Sequence, residues 1–152
     1  MSLRSVFLSA LVAGLSLWAG AASAGGPQLE LPRTKLTADM YQIDVQLATT
    51  PAQQEYGLMF RKQMPQQEGM LFVFDTPSTQ CFWMKNTLLP LTAAFIADDG
   101  TIVNLADMAP QTTNPHCSAK PVRFVLEMNQ GWFAKRSIKA GFRLGGRPFQ
   151  AH

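Results

Sequence analysis

The sequence is poor in charged residues and lacks the common catalytic motifs. Charged residues make up 15% of its 152 residues, only two are His, and it has no GxSxG, HExxH or phosphate-binding loop. Without Arg4, 12 basic residues face 10 acidic ones. This balance excludes a strongly cationic nucleic-acid module, an acidic tail protein and a disordered chain. After the N-terminal segment no apolar run approaches the ~18 residues of a membrane span, which excludes a multi-pass membrane protein.

The N-terminal 24 residues have the features of an export signal. Arg4 supplies a positive charge, residues 6–18 form an apolar run, and Ala22-Ser23-Ala24 matches the small-residue exit that signal peptidase requires. We therefore expect a cleaved signal peptide over 1–24, a mature chain that begins at Gly25, and a periplasmic or secreted protein. The alternative is a retained single anchor.

The predicted export determines how the two cysteines, Cys81 and Cys117, are interpreted. Two thiols in one small exported domain usually pair, so we predict a Cys81–Cys117 disulfide. Two free buried thiols are the alternative. A metal site is disfavoured because His116 and Cys117 are adjacent, and neighbouring side chains of an extended chain diverge. We predict no metal and no cofactor.

The remaining sequence is a succession of short strands. Strict alternation over residues 41–47 predicts a half-buried strand, and Thr50-Pro51 with Gln53 predicts a capped helix over 51–56 that ends at Gly57. Further strands are expected at the following places: 69–74, 81–84, 91–97, 102–106 after the Asp98-Asp99-Gly100 turn, 122–128 and 142–144. A turn is expected at 76–78, a long loop over 107–121 and a short helix over 131–137.

These elements predict a mainly-β, compact single-domain sandwich or barrel of short strands with one or two short helices. We expect a loosely held lead-in segment over 25–39 and one β-rich domain over 40–148. No stretch shows the sustained alternation of strands and helices that is typical of a parallel sheet. Residues 120–152 hold seven basic and one acidic residue. Either this region contacts an anionic partner, or it is a solvated face that offsets the acidic part of the chain.

Several segments, in this order and spacing, resemble one family: GLMFR (57–61), GMLFVF (69–74), FWMKNTLLPL (82–91), the DDG hairpin and VLEMNQGW (125–132). This is the family catalogued as domain of unknown function 192, small single-domain bacterial and archaeal proteins. The resemblance covers about residues 40 to 145 and implies a compact mainly-β fold without an established activity. The family usually has Leu-Asp where this chain has Leu91-Thr92. If that Asp were a catalytic acid or base, this member would lack it.

Polar residues next to apolar strands are the candidate ligand-binding residues. They are Arg61, Trp83, Lys85, Asn86, Thr87 and Glu127. Alternation along residues 125–128 makes Glu127 point with Val125, away from Leu126 and Met128. One interpretation is a polar pocket with Trp83 as a stacking wall. The alternative is a structural ion pair of Glu127 with Arg61 or Lys85.

No residue is assigned as catalytic. The composition and candidate residues favour an exported binding or accessory module of the cell envelope, with a small polar ligand, a glycan or a protein as partner. We expect no nucleic-acid partner, and membrane contact only through the cleaved signal. The alternative function is a small hydrolase or lyase that uses Glu127 and Lys85. A structural envelope protein without a discrete site is a third possibility.

Overall fold

A computed structural model describes residues 25–150, and the predicted signal peptide lies outside the described residues. The main elements follow in chain order: β1 Arg33–Ala38, β2 Tyr41–Ala48, α1 Pro51–Tyr56, β3 Glu68–Ser78, β4 Cys81–Phe82, β5 Leu91–Ile96, β6 Ile102–Met108, β7 His116–Cys117, β8 Val122–Asn129 and β9 Gly145–Gly146. Single 3-10 turns cover Ala134–Arg136 and Arg147–Phe149. The predicted mainly-β single domain is confirmed, and its large sheet is a curled half-barrel.

The large sheet has seven strands in the order β6-β5-β8-β3-β2-β1-β9, and β4 pairs with β7 in a separate two-stranded sheet. Neighbouring strands are antiparallel except β2 and β3, which run parallel. The connection between these two strands contains α1, because a parallel pair needs a crossover. One strand–helix–strand unit in an otherwise antiparallel sheet agrees with the expectation that the chain lacks the sustained alternation of a parallel sheet. The sequence predicted helix α1 but not that it would connect two parallel strands.

Both faces of the sheet are covered by apolar side chains. On the first face, strand residues such as Leu71 and Leu126 pack with Trp132 and Phe133 from the segment after β8. The second face forms a separate apolar cluster, in which strand residues pack against the segments that follow α1 and β4. That second cluster comprises Ala48, Leu58, Met64, Met70, Phe72, Met84, Leu91, Ala93, Phe95, Met108, Val122 and Val125.

The predicted helix α1 is confirmed in its bounds and caps. The backbone N–H of Gln53 donates to the Thr50 hydroxyl, and the Gln53 side chain accepts from the Thr50 backbone N–H. Pro51 occupies the first turn, and the helix ends at Gly57, which has a positive φ of 49°. Such a reciprocal capping box satisfies two of the backbone donors that a helix start leaves free. The short helix can therefore form at this position.

Several boundaries differ from the sequence-based expectations. Part of the expected lead-in forms β1, because Leu36 and Ala38 are buried against β2. The 76–78 region continues β3 instead of turning, and β7 lies inside the expected 107–121 loop. The expected helix over 131–137 is only a 3-10 turn. The expected strand over 142–144 makes only an isolated bridge, between Arg143 and Thr101, and the last strand is β9. None of the helices in the described part of the chain has the length and apolar character to cross a membrane.

Candidate functional site

A pocket of about 170 Å³ opens where α1 and the residues after it approach β3 and β4. Five aromatic residues line it: Tyr56, Phe72, Phe74, Phe82 and Trp83. Leu58 and Met59 add apolar surface from the segment after α1. The pocket has room for several water molecules or a small ligand. Its apolar walls are typical of small-molecule sites.

Aromatic packing holds the β4 wall in place. The Phe82 ring stands at 87° to the Phe72 ring with centroids 4.7 Å apart, and it also meets Phe74 and Phe95 edge-on. Edge-to-face pairs of this kind are favourable beyond the area that they bury. Trp83, the next residue, is 45% exposed and stands at the rim of the pocket.

Glu127 is the ionisable residue that lies deepest in the pocket lining. It is 4% exposed and belongs to β8, with Met70 of β3 and Ala93 of β5 directly opposite. Val125 belongs to the cluster on the second face of the sheet, whereas Leu126 and Met128 belong to the first. Glu127 therefore points with Val125, as the alternation predicts, and its carboxyl group reaches the pocket through an apolar cluster.

Burial raises the pKa of the Glu127 carboxyl to about 8, because the surrounding apolar side chains disfavour its charged form. Within residues 25–150 no ion pair or side-chain hydrogen bond reaches this carboxyl group. The alternative interpretation, an ion pair of Glu127 with Arg61 or Lys85, is therefore wrong. A buried carboxyl without a cationic partner is held in its neutral form, which can donate one hydrogen bond and accept others.

Arg61 is buried at 6% exposure but does not line the pocket. Its guanidinium donates to the Gln46 side-chain oxygen and to the backbone carbonyl of Gln28, 2.7 Å away. These acceptors explain why Arg61 does not pair with Glu127. Burial also lowers the Arg61 pKa. The residue thus connects the segment before β1 to β2.

Lys85 and Asn86 form a turn at the edge of the pocket without lining it. The Thr87 N–H donates to the Met84 carbonyl at 3.1 Å, and Asn86 adopts a positive φ of 55°. The Lys85 ammonium lies 5.4 Å from the centroid of the Trp83 ring. Thr87 is 5% exposed and does line the pocket. Of the six predicted site residues, the structure thus places Trp83, Thr87 and Glu127 in one pocket.

The predicted disulfide between Cys81 and Cys117 is present, and Cys81 borders the pocket. The two residues face each other across β4 and β7. Beside them the Ser118 N–H donates to the Gln80 carbonyl at 2.8 Å, and the Gln80 N–H donates to the Ser118 hydroxyl at 3.0 Å. The disulfide and these two bonds attach the β4 wall of the pocket to the loop that follows β6.

Thr92 lies on the opposite face of the sheet from Glu127. Its β5 neighbours Ala93 and Ala94 belong to the second and first clusters respectively, so Thr92 shares the first face with Ala94. The Thr92 hydroxyl donates to the Asp107 carboxylate at 2.6 Å. A carboxylate at position 92 would therefore lie outside the Glu127 pocket.

Sequence reasoning missed much of the pocket wall, including Phe72, Phe82 and the chain from Gln54 to Met59. The continuous apolar run of β3 does not indicate which of its side chains line a pocket. The helix before Gly57 was predicted, but its packing against β4 depends on the crossover between two parallel strands. Among residues 25–150 no group of three or more His, Cys, Asp or Glu residues is arranged to hold a metal ion.

Fold and pocket together define a small β domain with a half-barrel sheet and an aromatic pocket that contains a buried carboxyl. The family model DUF192, described as an uncharacterized ACR, matches residues 34–146, so the chain belongs to this family. A comparison with curated proteins finds no significant match.

Two crystal structures of similar proteins share the fold. One is a protein of Sinorhizobium meliloti 1021 described as a "putative transcription regulator", 39% identical, with a TM-score of 0.71 over 76% of this chain and 93% of its own. The other is a protein of unknown function from Novosphingobium aromaticivorans DSM 12444. It is 32% identical, with a TM-score of 0.70 over 88% of this chain and 99% of its own.

Proposed function

We propose that the protein is an exported binding module of the cell envelope that holds a small ligand in the pocket above Glu127. The observation that carries this proposal is the unpaired Glu127 carboxyl at the base of an aromatic pocket. Burying a carboxyl without a partner costs stability, and a ligand that bonds to it would offset this cost. The aromatic walls would supply the apolar contact area of a small-ligand site.

A thermal-shift screen of cationic, neutral and anionic small molecules tests the binding function, because a ligand of the folded state raises apparent stability. Each hit is repeated with Met59→Trp, which adds an indole ring to the pocket wall, and with Met40→Trp as control. Met40 is 79% exposed and lies outside the pocket. We expect hits to stabilise wild type and Met40→Trp, and to stabilise Met59→Trp less. Equal shifts in all three proteins, or no hit from any class, would overturn the proposal.

Export and envelope location are supported by the leader-like N-terminal sequence and by a disulfide, which persists in oxidising compartments. Cell fractionation followed by mass determination of the N-terminal peptide tests both. The expected product is found outside the cytoplasm and begins at Gly25. A cytosolic protein that keeps its Arg4 peptide would contradict export, and an Arg4 peptide on the exported protein would contradict cleavage.

The pKa of Glu127 near 8 favours a second candidate, a small hydrolase or lyase, because a general acid or base works best with a pKa near the working pH. Lys85 would be its partner, although the ammonium lies over Trp83 and outside the pocket lining. Mass spectrometry of each screening hit after incubation tests this function. Turnover that Glu127→Gln abolishes would support the enzyme, whereas chemically unchanged hits leave binding as the function.

A role in transcription, which the description of the Sinorhizobium relative suggests, is not what we propose for this chain. A helix that reads DNA needs basic or polar side chains and enough length to enter the major groove. Helix α1 has six residues, PAQQEY, none of them basic. We therefore propose that the partner is a small molecule and that the protein has no nucleic-acid partner.

A further inference from the structure

We propose that the ligand of the pocket is a small organic ammonium ion, held by the Glu127 carboxylate and the surrounding aromatic rings. This inference rests on the proposed binding function and names the chemical class of the ligand. Its first support is the charge of the lining. Among residues 25–150, two with carboxyl groups, Glu55 and Glu127, line the pocket, and no Lys, Arg or His does.

The second support is the combination of an acid with aromatic walls. Cations bind to the faces of aromatic rings because the ring quadrupole is negative there. Lys85 already shows such a contact, since its ammonium lies 5.4 Å from the Trp83 ring centroid. Phe72, Phe82 and Trp83 supply rings to the pocket that holds Glu127. An acid inside a partly aromatic enclosure suits an ammonium ion better than an anion, because the described lining residues include no cationic side chain and Lys85 stands only at the rim.

The third support is that the buried Glu127 carboxyl has no cationic partner among the described residues. The residue is 4% exposed and lines the pocket. Met70 and Ala93, its neighbours on β3 and β5, have no group that could pair with it. A ligand ammonium would supply the missing charge at the one side where the carboxyl meets the pocket.

Binding of such a cation is expected to release a proton. Without ligand the Glu127 carboxyl is neutral below its pKa of about 8, and the arriving ammonium stabilises its charged form. The proton leaves to the buffer, while the ligand keeps its own positive charge. The other titratable groups near the pocket are Glu55 and Tyr56 from α1 and Lys85 at the rim. The Tyr56 hydroxyl already donates to the Gly26 carbonyl.

The test compares choline with its uncharged carbon analogue 3,3-dimethyl-1-butanol, and n-butylammonium with n-butanol, by isothermal titration calorimetry on the mature chain. The two cations separate a quaternary from a primary ammonium ligand. We expect at least one cation to bind about tenfold or more tightly than its uncharged partner, because one ion contact in a partly buried site is worth about 1.4 kcal/mol or more. Equal affinity within both pairs, or no binding by either cation, would overturn the inference.

Variants and the pH dependence of binding test whether the preference for the cation depends on Glu127. Glu127→Gln should lose the preference for the cation, Trp83→Leu should weaken it, and Glu30→Gln, an exposed control, should leave it unchanged. Cation affinity of the wild type should rise as the pH approaches about 8 and then level off, because the Glu127 proton competes with the cation. Titrations in two buffers of different ionisation enthalpy should show proton release. A cation preference that is unchanged in Glu127→Gln would assign the charge contact elsewhere and overturn the inference.

These outcomes differ from those that test the proposed function. If uncharged or anionic compounds bind in the Met59→Trp-sensitive pocket while both cations fail, the binding function stands and the ammonium inference falls. If no compound of any class binds there, both fall. Folding of Glu127→Gln is checked by circular dichroism and is expected to be retained, because the amide matches the neutral carboxyl in shape. The exposed Trp83→Leu variant provides an independent readout.

Discussion

Glu127 is a carboxyl group placed where an apolar side chain would pack better. Its position on β8 puts it between Met70 and Ala93, both of which are fully buried. Desolvation therefore favours the neutral acid. A pH-dependent contribution to stability follows, because the unfolded chain exposes the same carboxyl to water and releases its proton at a lower pH.

We predict that the free energy of unfolding falls as the pH rises from 4.5, the ordinary pKa of Glu, to about 8. In this window the folded protein keeps a proton that the unfolded chain has released, and the loss approaches ~1.4 kcal/mol per pH unit. Outside the window both states carry the same charge at this position. Urea unfolding of wild type and Glu127→Gln at several pH values measures the effect, and the difference between the two proteins isolates Glu127. Parallel pH profiles would contradict the prediction.

Arg61 allows a second prediction at the scale of one residue. Arg61→Met keeps an unbranched side chain but removes the donors to the Gln46 oxygen and the Gln28 carbonyl. We expect a loss of about 1–3 kcal/mol, because these acceptors are left without their donor. Lys62→Met at the exposed neighbouring position is the matched control for urea unfolding. Equal stability of the two variants would show that the Arg61 contacts contribute nothing.

The sequence predicts the direction of Glu127 but not its surroundings. Alternation along a strand has a period of two, so the face of Glu127 followed directly from Val125 and Leu126. Which cation would approach that face depends on contacts between distant segments. Arg61 was a reasonable partner in the sequence, but Gln28 and Gln46 hold its guanidinium in the fold.

At the scale of elements, local chemistry was the most reliable guide. The capping box of Thr50 and Gln53 fixed both the start and the type of α1, because the bonds that define it join residues three apart. The strand after Glu68 was less predictable, since its last residues are exposed and include Pro77. Pairing with β8 resumes at Ser78 and continues the strand beyond the expected turn.

Gly69 of β3 lies opposite Met128 of β8, where there is no space for a side chain. A Cβ at this position would stand 2.4 Å from the Met128 sulfur and 2.5 Å from the Glu127 carbonyl oxygen. We expect Gly69→Ala to lose about 1–3 kcal/mol, since backbone must shift to admit the methyl group. Gly25→Ala, whose Cβ would meet only ordinary contacts with Phe60, is the control. Denaturation midpoints of the two variants provide the comparison, and similar midpoints would refute the steric argument.

At the scale of the whole molecule, the disulfide is the one covalent tie across the chain within the described residues. It joins β4 to β7, which lie outside the seven-stranded sheet and pair only with each other. The pairing of Cys81 with Cys117 was predictable because the sequence has two cysteines. The strand order was not predictable, because the composition of a short strand does not indicate which strands pair with it.

Replacing both cysteines by serine should lower the free energy of unfolding by about 3–4 kcal/mol, because the unfolded chain gains the freedom of a loop with a sequence separation of 36. Urea unfolding of the double variant and the oxidised wild type measures this loss. Reduced wild type is the matched control and should resemble the double variant. Two reactive thiols in the denatured protein, purified without reductant from outside the cytoplasm, would contradict the disulfide itself.

The position of β8 in the sheet differs from its position along the chain. This strand is made late, yet it lies between β5 and β3, which are both made earlier. Without β8 the remaining pairings join β5 only to β6 and β3 only to β2, so that the sheet would be divided into two halves. Only the arrival of β8 unites them, and it brings Glu127 beneath the aromatic walls. This strand therefore supplies both the link between the two halves of the sheet and the buried carboxyl of the pocket, and premature termination upstream of Val122 removes both; β9, which follows, adds the edge strand beside β1.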